Sequence, residues 1–120
     1  MTFRSAGNVK TYLYFHHPPS YVMITMKCYN TSQGLLLAAC DSEIVGKKFK
    51  EGKLRIEVTK SFYGEEKVSE KVFLNHLRNA VIVNLVGERV VNLAVKNGFA
   101  DEETVIKIQG IPHVQILKLI

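Results

Sequence analysis

A chain of 120 residues, 47% hydrophobic and 22% charged, is long enough to bury one core without disulfides or metal and too short to argue for two domains. Its composition excludes a disordered chain, two cysteines exclude a disulfide framework, and nothing resembles a membrane span or a secretory signal. A reducing cytoplasm with no membrane partner is therefore expected. The net charge of +5 and pI near 9.3 bring a polyanionic partner, RNA above all, into consideration.

Residues Met1 to Val22 stand apart. They carry Arg4 and Lys10 but no acid, show neither helical nor strand period, and run into His16-His17-Pro18-Pro19. The double proline blocks a continuous helix, and the apolar stretch Tyr12 to Phe15 is too short for a signal-peptide core. Adjacent histidines on an extended chain point to opposite sides, so the pair does not make a metal site. This stretch is expected to be a flexible extension or a mis-assigned start, and residues 23–120 a single α/β domain with no metal or other cofactor.

Met23 to Tyr29 predicts a first strand, Asn30 to Gly34 a turn, and Leu35 to Ala39 a buried second strand, together an antiparallel hairpin. Ser42 to Gly46 follows as a short helical turn. Lys47 to Lys53 carries four lysines around Phe49 and Glu51 and ends in a Gly52-Lys53 turn. In the next strand Leu54, Ile56 and Val58 alternate with Arg55, Glu57 and Thr59, so that one face is buried and the other wet. Phe62-Tyr63-Gly64 closes it.

Ser69 predicts the cap of a helix that runs to about Asn79, with Val68 and Phe73 as its hydrophobic staple and Phe73, Leu77, Val72 and Ala80 on or beside its core face. The segment Val81 to Gly110 then reads as strand, helix, strand. Val81 to Val86 is apolar and rich in β-branched residues, the mark of a central strand covered on both faces. Gly87 turns the chain, and Val90, Val91, Ala94 and Val95 recur at helical spacing until the Asn97-Gly98 cap. Val105 to Gln109 is the second strand, expected to close a right-handed parallel crossover. Gly110-Ile111-Pro112-His113 breaks the chain, and Val114 to Ile120 forms a last strand or buried tail. The predicted fold is a mixed β-sheet with two main helices in the order β-β-β-α-β-α-β-(β).

Three groups of residues could carry chemistry. Cys40-Asp41 with Glu43 offers a thiol and carboxylates at a strand end, though at no zinc spacing; a buried structural cysteine and an Asp41 cap on the short helical turn explain the same residues. Gly87-Glu88 opens a helix whose N–H groups favour anions, but one glycine is not a dinucleotide fingerprint, and Glu88 would repel a phosphate. With Gly110, Pro112 and His113 these residues would form a strand-end pocket if the protein were an enzyme or small-ligand binder. His113 is expected at least partly exposed in a concavity beside Gly87. The third group, Lys47, Lys48, Lys50, Lys53 and Arg55, is the best electrostatic footprint for RNA, with Phe49 and Phe62-Tyr63 near in sequence as stacking surfaces. Lysines also protect an exposed edge strand from aggregation.

From about Met23 onward the chain resembles a small archaeal family known chiefly as a domain of unknown function. The resemblance is carried by LLAACDSEIVGKKFKEGKLRIEV, SFYGE, NLVGERVVNLAVKNGF and IQGIPHVQI, in that order. It implies an intracellular archaeal protein with an α/β fold, no assigned catalytic residues, and genes that accompany those of translation factors. The functional expectation is a small binding protein attached to RNA or a ribosomal particle; the alternative is an enzyme or ligand binder with a pocket near Asp41, Gly87 and His113. A homo-oligomer through the apolar C-terminal strand is a third expectation.

Overall fold

The computed structural model describes residues 23–119; the expectation for residues 1–22 lies outside them. Eight strands and three helices follow in the order β1 (Ile24–Thr31), β2 (Gly34–Asp41), β3 (Lys48–Glu51), β4 (Leu54–Glu57), α1 (Lys60–Tyr63), β5 (Glu66–Val68), α2 (Glu70–Asn79), β6 (Ile82–Val86), α3 (Glu88–Lys96), β7 (Ile106–Ile108) and β8 (Ile111–Leu117), with 3₁₀ turns at Ser42–Ile44 and Glu102–Thr104. Six strands form one mixed sheet, β5-β1-β2-β6-β8-β7, and β3-β4 is a separate hairpin. The α/β class and the β1–β2 hairpin are as predicted.

The near-continuous apolar runs follow from burial on both faces. Alternate residues of the central strands, Leu37, Ala39, Val83, Leu85 and Val114, pack under α2 and α3 with Phe73, Leu77, Val90, Val91 and Ala94. The opposite set, Ala38, Cys40 and Val86, is covered by Ile44, Val58 and Tyr63, with Phe49 and Ile56 of the hairpin packed against them. Ser69 caps α2, its Oγ accepting from the Val72 N–H, and Val68 and Phe73 are both buried in one cluster, as the staple requires. Val72 departs from expectation. It is 38% exposed because α2 lies over the sheet with Phe73 and Leu77 downward, which turns the first-turn valine outward.

Three elements were not predicted: β3, α1 in place of a strand closure at Phe62-Tyr63, and the three-residue β5. The crossover also differs. β6 pairs in parallel with β2 and antiparallel with β8, and β7 pairs antiparallel with β8. Thus β6 and β7 do run in the same direction, but β8 lies between them. The cause is local: Gln109 (φ 54) and Gly110 (φ 78) both adopt left-handed backbone, a two-residue turn that folds β8 straight back from Ile108 to Ile111 and into the slot beside β6. The parallel neighbour of β6 is β2 instead, reached through the hairpin, α1, β5 and α2.

Candidate functional site

The ends of β2 and β6 do meet, and they form a closed joint. Asp41, only 5% exposed, ends β2 with its carboxylate at the start of α3, where Oδ2 accepts from the Arg89 N–H at 2.9 Å and Oδ1 from the Val90 N–H at 3.0 Å. A helix start leaves such donors without intrahelical partners and carries partial positive charge, so an anion is favoured there. The anion is the protein's own. The short turn at Ser42–Ile44 receives no side-chain cap from Asp41, so the expectation of a local cap is corrected: the carboxylate serves the helix 48 residues further on. Burial pushes this carboxyl above the usual range, opposed by the two helix donors. Arg89 ties the joint together, reaching Glu43 at 3.4 Å.

Gly87 is required by the same contact. Its φ of 119 suits glycine alone, and a Cβ there would stand 2.5 Å from Asp41 Cγ. The glycine is therefore present so that the Asp41 carboxylate can reach the helix, and the space a phosphate would need is taken.

Opposite Gly87 lies Pro112. Gly87 donates its N–H to the Pro112 carbonyl at 2.9 Å, while the Gly87 carbonyl accepts from Val91 N–H to start α3. A residue with an N–H at position 112 would seek that same carbonyl, and proline has none. The proline thus marks the point where the ladder ends and the helix begins. It does not stop β8, contrary to the expected chain break, because β6 has no further acceptor to offer. His113 belongs to the other face of β8: it pairs with Val86, its Nδ1 lies 2.8 Å from the Leu85 carbonyl, and it is half-buried. His113 is partly exposed, as expected, but among the described residues Glu88 and Pro112 line a cavity of about 300 Å³ under α3 with Val91, Val95, Val105 and Lys107, and β8 separates them from the imidazole. Cys40 is fully buried, and burial together with Asp41 and Glu43 pushes its thiol up to about 12. Burial and the neighbouring carboxylates thus disfavour the thiolate, the form in which a cysteine acts as a nucleophile. Among the described residues no group of three or more His, Cys, Asp or Glu side chains could hold a metal ion.

The cationic segment has the opposite character. In the β3–β4 hairpin Lys48 faces Glu57, Phe49 faces Ile56, Lys50 faces Arg55 and Glu51 faces Leu54. Because Phe49 and Ile56 turn toward the core, Lys48, Lys50, Arg55 and Glu57 turn outward, around a concavity of about 330 Å³. Lys47 and Lys53 flank this face and are exposed. Five cations occupy residues 47–57 with two acids. Of those acids, Glu57 lies 3.8 Å from Lys48, whereas Glu51 points the other way and accepts the Gln109 N–H at 2.6 Å, fastening the hairpin to the β7–β8 turn. Lys50 and Arg55 are left directly opposite each other with no acid between them, an arrangement that destabilises a sheet by itself.

The aromatic residues expected as stacking surfaces are engaged within the protein. Phe49 packs toward the core, Phe62 stacks on Tyr29 at 5.7 Å, and buried Tyr63 donates its hydroxyl to Asn84 Oδ1 at 2.6 Å. The Asn84 partnership was missed, although a lone asparagine inside an apolar strand was the available signal. A groove of about 820 Å³ beside β1 was also missed; Cys28, Lys27, Lys60, Glu66 and His76 are among its lining. There burial and Glu66 raise the Cys28 thiol, and the His76 Nδ1 is paired with the Val72 carbonyl.

A model of a protein family of unknown function, DUF424, matches residues 29–119. A crystal structure of an uncharacterized conserved protein from Methanopyrus kandleri matches with a TM-score of 0.67 at 24% identity, over 78% of this chain and 89% of that chain, a likeness of fold. No match is found among curated proteins. Among the described residues no helix is long and apolar enough to cross a membrane.

Proposed function

We propose a function for a chain that belongs to the DUF424 family, proteins of unknown function: it is a small RNA-binding module, and the outward face of the β3–β4 hairpin is its contact surface. The observation that carries this reading is the Lys50–Arg55 pair. Two cations placed directly across a hairpin repel each other and cost stability, and a polyanion laid over them converts that cost into attraction. Lys48 extends the row on the same face, and Lys47 and Lys53 continue it at either end. Since the nearby aromatic rings are packed inside the protein, contact is to phosphates and sugars and has little sequence preference. Translation-associated RNA suits a partner of this kind.

The test is fluorescence anisotropy with a labelled single-stranded RNA across a salt series. Parent protein binds with an affinity that falls steeply as salt rises, because each neutralised phosphate releases counterions. Replacing Lys48, Lys50 and Arg55 together with glutamine lowers affinity at low salt and flattens the salt slope by roughly 2 to 3. Equal binding by the two proteins at low salt would reduce the patch to a solvated face.

A further inference from the structure

The last strand has an open half. β7 covers only the beginning of β8, pairing Ile108 with Ile111, Lys107 with Pro112 and Ile106 with His113. The bonds from Gly87 N–H to the Pro112 carbonyl and from Lys118 N–H to the Val81 carbonyl fix the phase of the strand: residues 112, 114, 116 and 118 turn their main-chain groups toward β6. Main-chain groups alternate along an antiparallel strand, so Gln115 and Leu117 present theirs to the opposite side. Among the described residues no strand lies there, because β7 begins at Ile106.

Apolar side chains gather along this edge. Leu117 is 62% exposed, Leu119 88% and Ile106 43%. The register puts Ile106 and Leu117 on the same face of the sheet, and Leu119 continues that alternation. Edge strands ordinarily carry a charge that discourages pairing. Here the one charged residue of the segment, Lys118, is turned away: its amine donates to the carbonyls of Leu77 and Arg78 and lies 5.3 Å from the centre of the Phe99 ring.

We propose that a second copy of this chain pairs with the open half of β8, antiparallel, about a two-fold axis at Leu117. In this register Leu117 exchanges both main-chain bonds with the partner's Leu117, and Gln115 exchanges both with the partner's Leu119. The partner's Leu119 then falls next in line after Ile106 on the same face, so all three exposed apolar residues are covered by one another. A register that set Gln115 against the partner's Leu117 would drive the partner's Leu119 onto His113, a place Ile106 already fills. The interface is isologous, as a two-fold demands, and joins two six-stranded sheets into one of twelve. It is independent of the RNA surface.

Sedimentation velocity of the full chain over a concentration series tests this. Parent protein moves from monomer to dimer as concentration rises. Leu117→Lys and Leu117→Glu each sediment as monomers with the parent's circular dichroism, and they match its melting temperature at concentrations where the parent is itself monomeric, since position 117 is mostly exposed and like charges would meet at the axis. A one-to-one mixture of the two variants recovers the dimer, because Lys then faces Glu. Three results would each overturn the proposal: a parent that stays monomeric up to its solubility limit, single variants that remain dimeric, or a mixture that stays monomeric.

Discussion

The strand-end joint and the β3–β4 hairpin hold comparable numbers of chemically capable residues and use them in opposite ways. At the joint an aspartate, a glycine, a proline and a histidine each have a partner inside the protein: Asp41 on the α3 donors, Gly87 on Pro112, and His113 on the Leu85 carbonyl. In the hairpin the cations are exposed and two of them face each other. The difference teaches that residue types associated with catalysis say less about function than whether their hydrogen-bonding capacity and charge are already satisfied. A buried polar group must be paired to be tolerated, whereas a surface charge left uncompensated stays available for a contact from outside.

Gly87→Ala should break the joint most severely, since the new methyl meets Asp41 and the backbone stays at φ 119; we expect a loss of about 3 kcal/mol or more, measured by urea unfolding. A loss below about 1 kcal/mol would show that the aspartate has room to move away. Asp41→Ala removes both bonds to α3 and leaves two donors unmet, and should cost roughly 2 kcal/mol. With alanine already at 41, the additional effect of Gly87→Ala should shrink, because the Cγ and Oδ1 contacts are gone; strict additivity would contradict the packing role assigned to the glycine.

Thiol labelling sharpens the comparison chemically. In the native state a maleimide reagent should modify the half-buried Cys28 slowly and leave Cys40 untouched, and both should react once the chain is unfolded. Rapid native labelling of Cys40 would reopen the joint as a reactive site. Least disruptive of all is the Lys48, Lys50 and Arg55 to glutamine variant, whose stability should stay within about 0.5 kcal/mol of the parent, or rise slightly as the cross-strand repulsion is relieved. A marked loss of stability would show that the cations support the fold.

Much of this fold was legible because its signals are local. Ser69 three residues ahead of the donor it caps, the apolar period of α3, and the β-branched run of β6 all act within one element, and each element formed where its residues indicated. β3 was not legible: Lys48–Glu51 contains a single apolar residue, and it becomes a strand through pairing with β4 and packing of Phe49 on a core that other segments build. The insertion of β8 beside β6 depends on left-handed backbone at Gln109, a residue that rarely adopts it. For the candidate site, the cations were readable from composition, but their common face was not. Nor was the use of Asp41 at a helix 48 residues away, or of Glu51 at a turn 58 residues away, since nothing in sequence spacing announces a tertiary contact.

The proposal takes the hairpin as the surface that would meet RNA and the joint as a structural contact, and an amide chemical-shift titration reports on both at once. With a short single-stranded RNA added to isotopically labelled protein at low salt, shifts should concentrate in residues 47–57 and at Gln109, which is bonded to Glu51 of the hairpin, while Asp41, Gly87 and His113 hold their positions. Shifts centred on Asp41, Gly87 and His113, with the hairpin unmoved, would contradict the account.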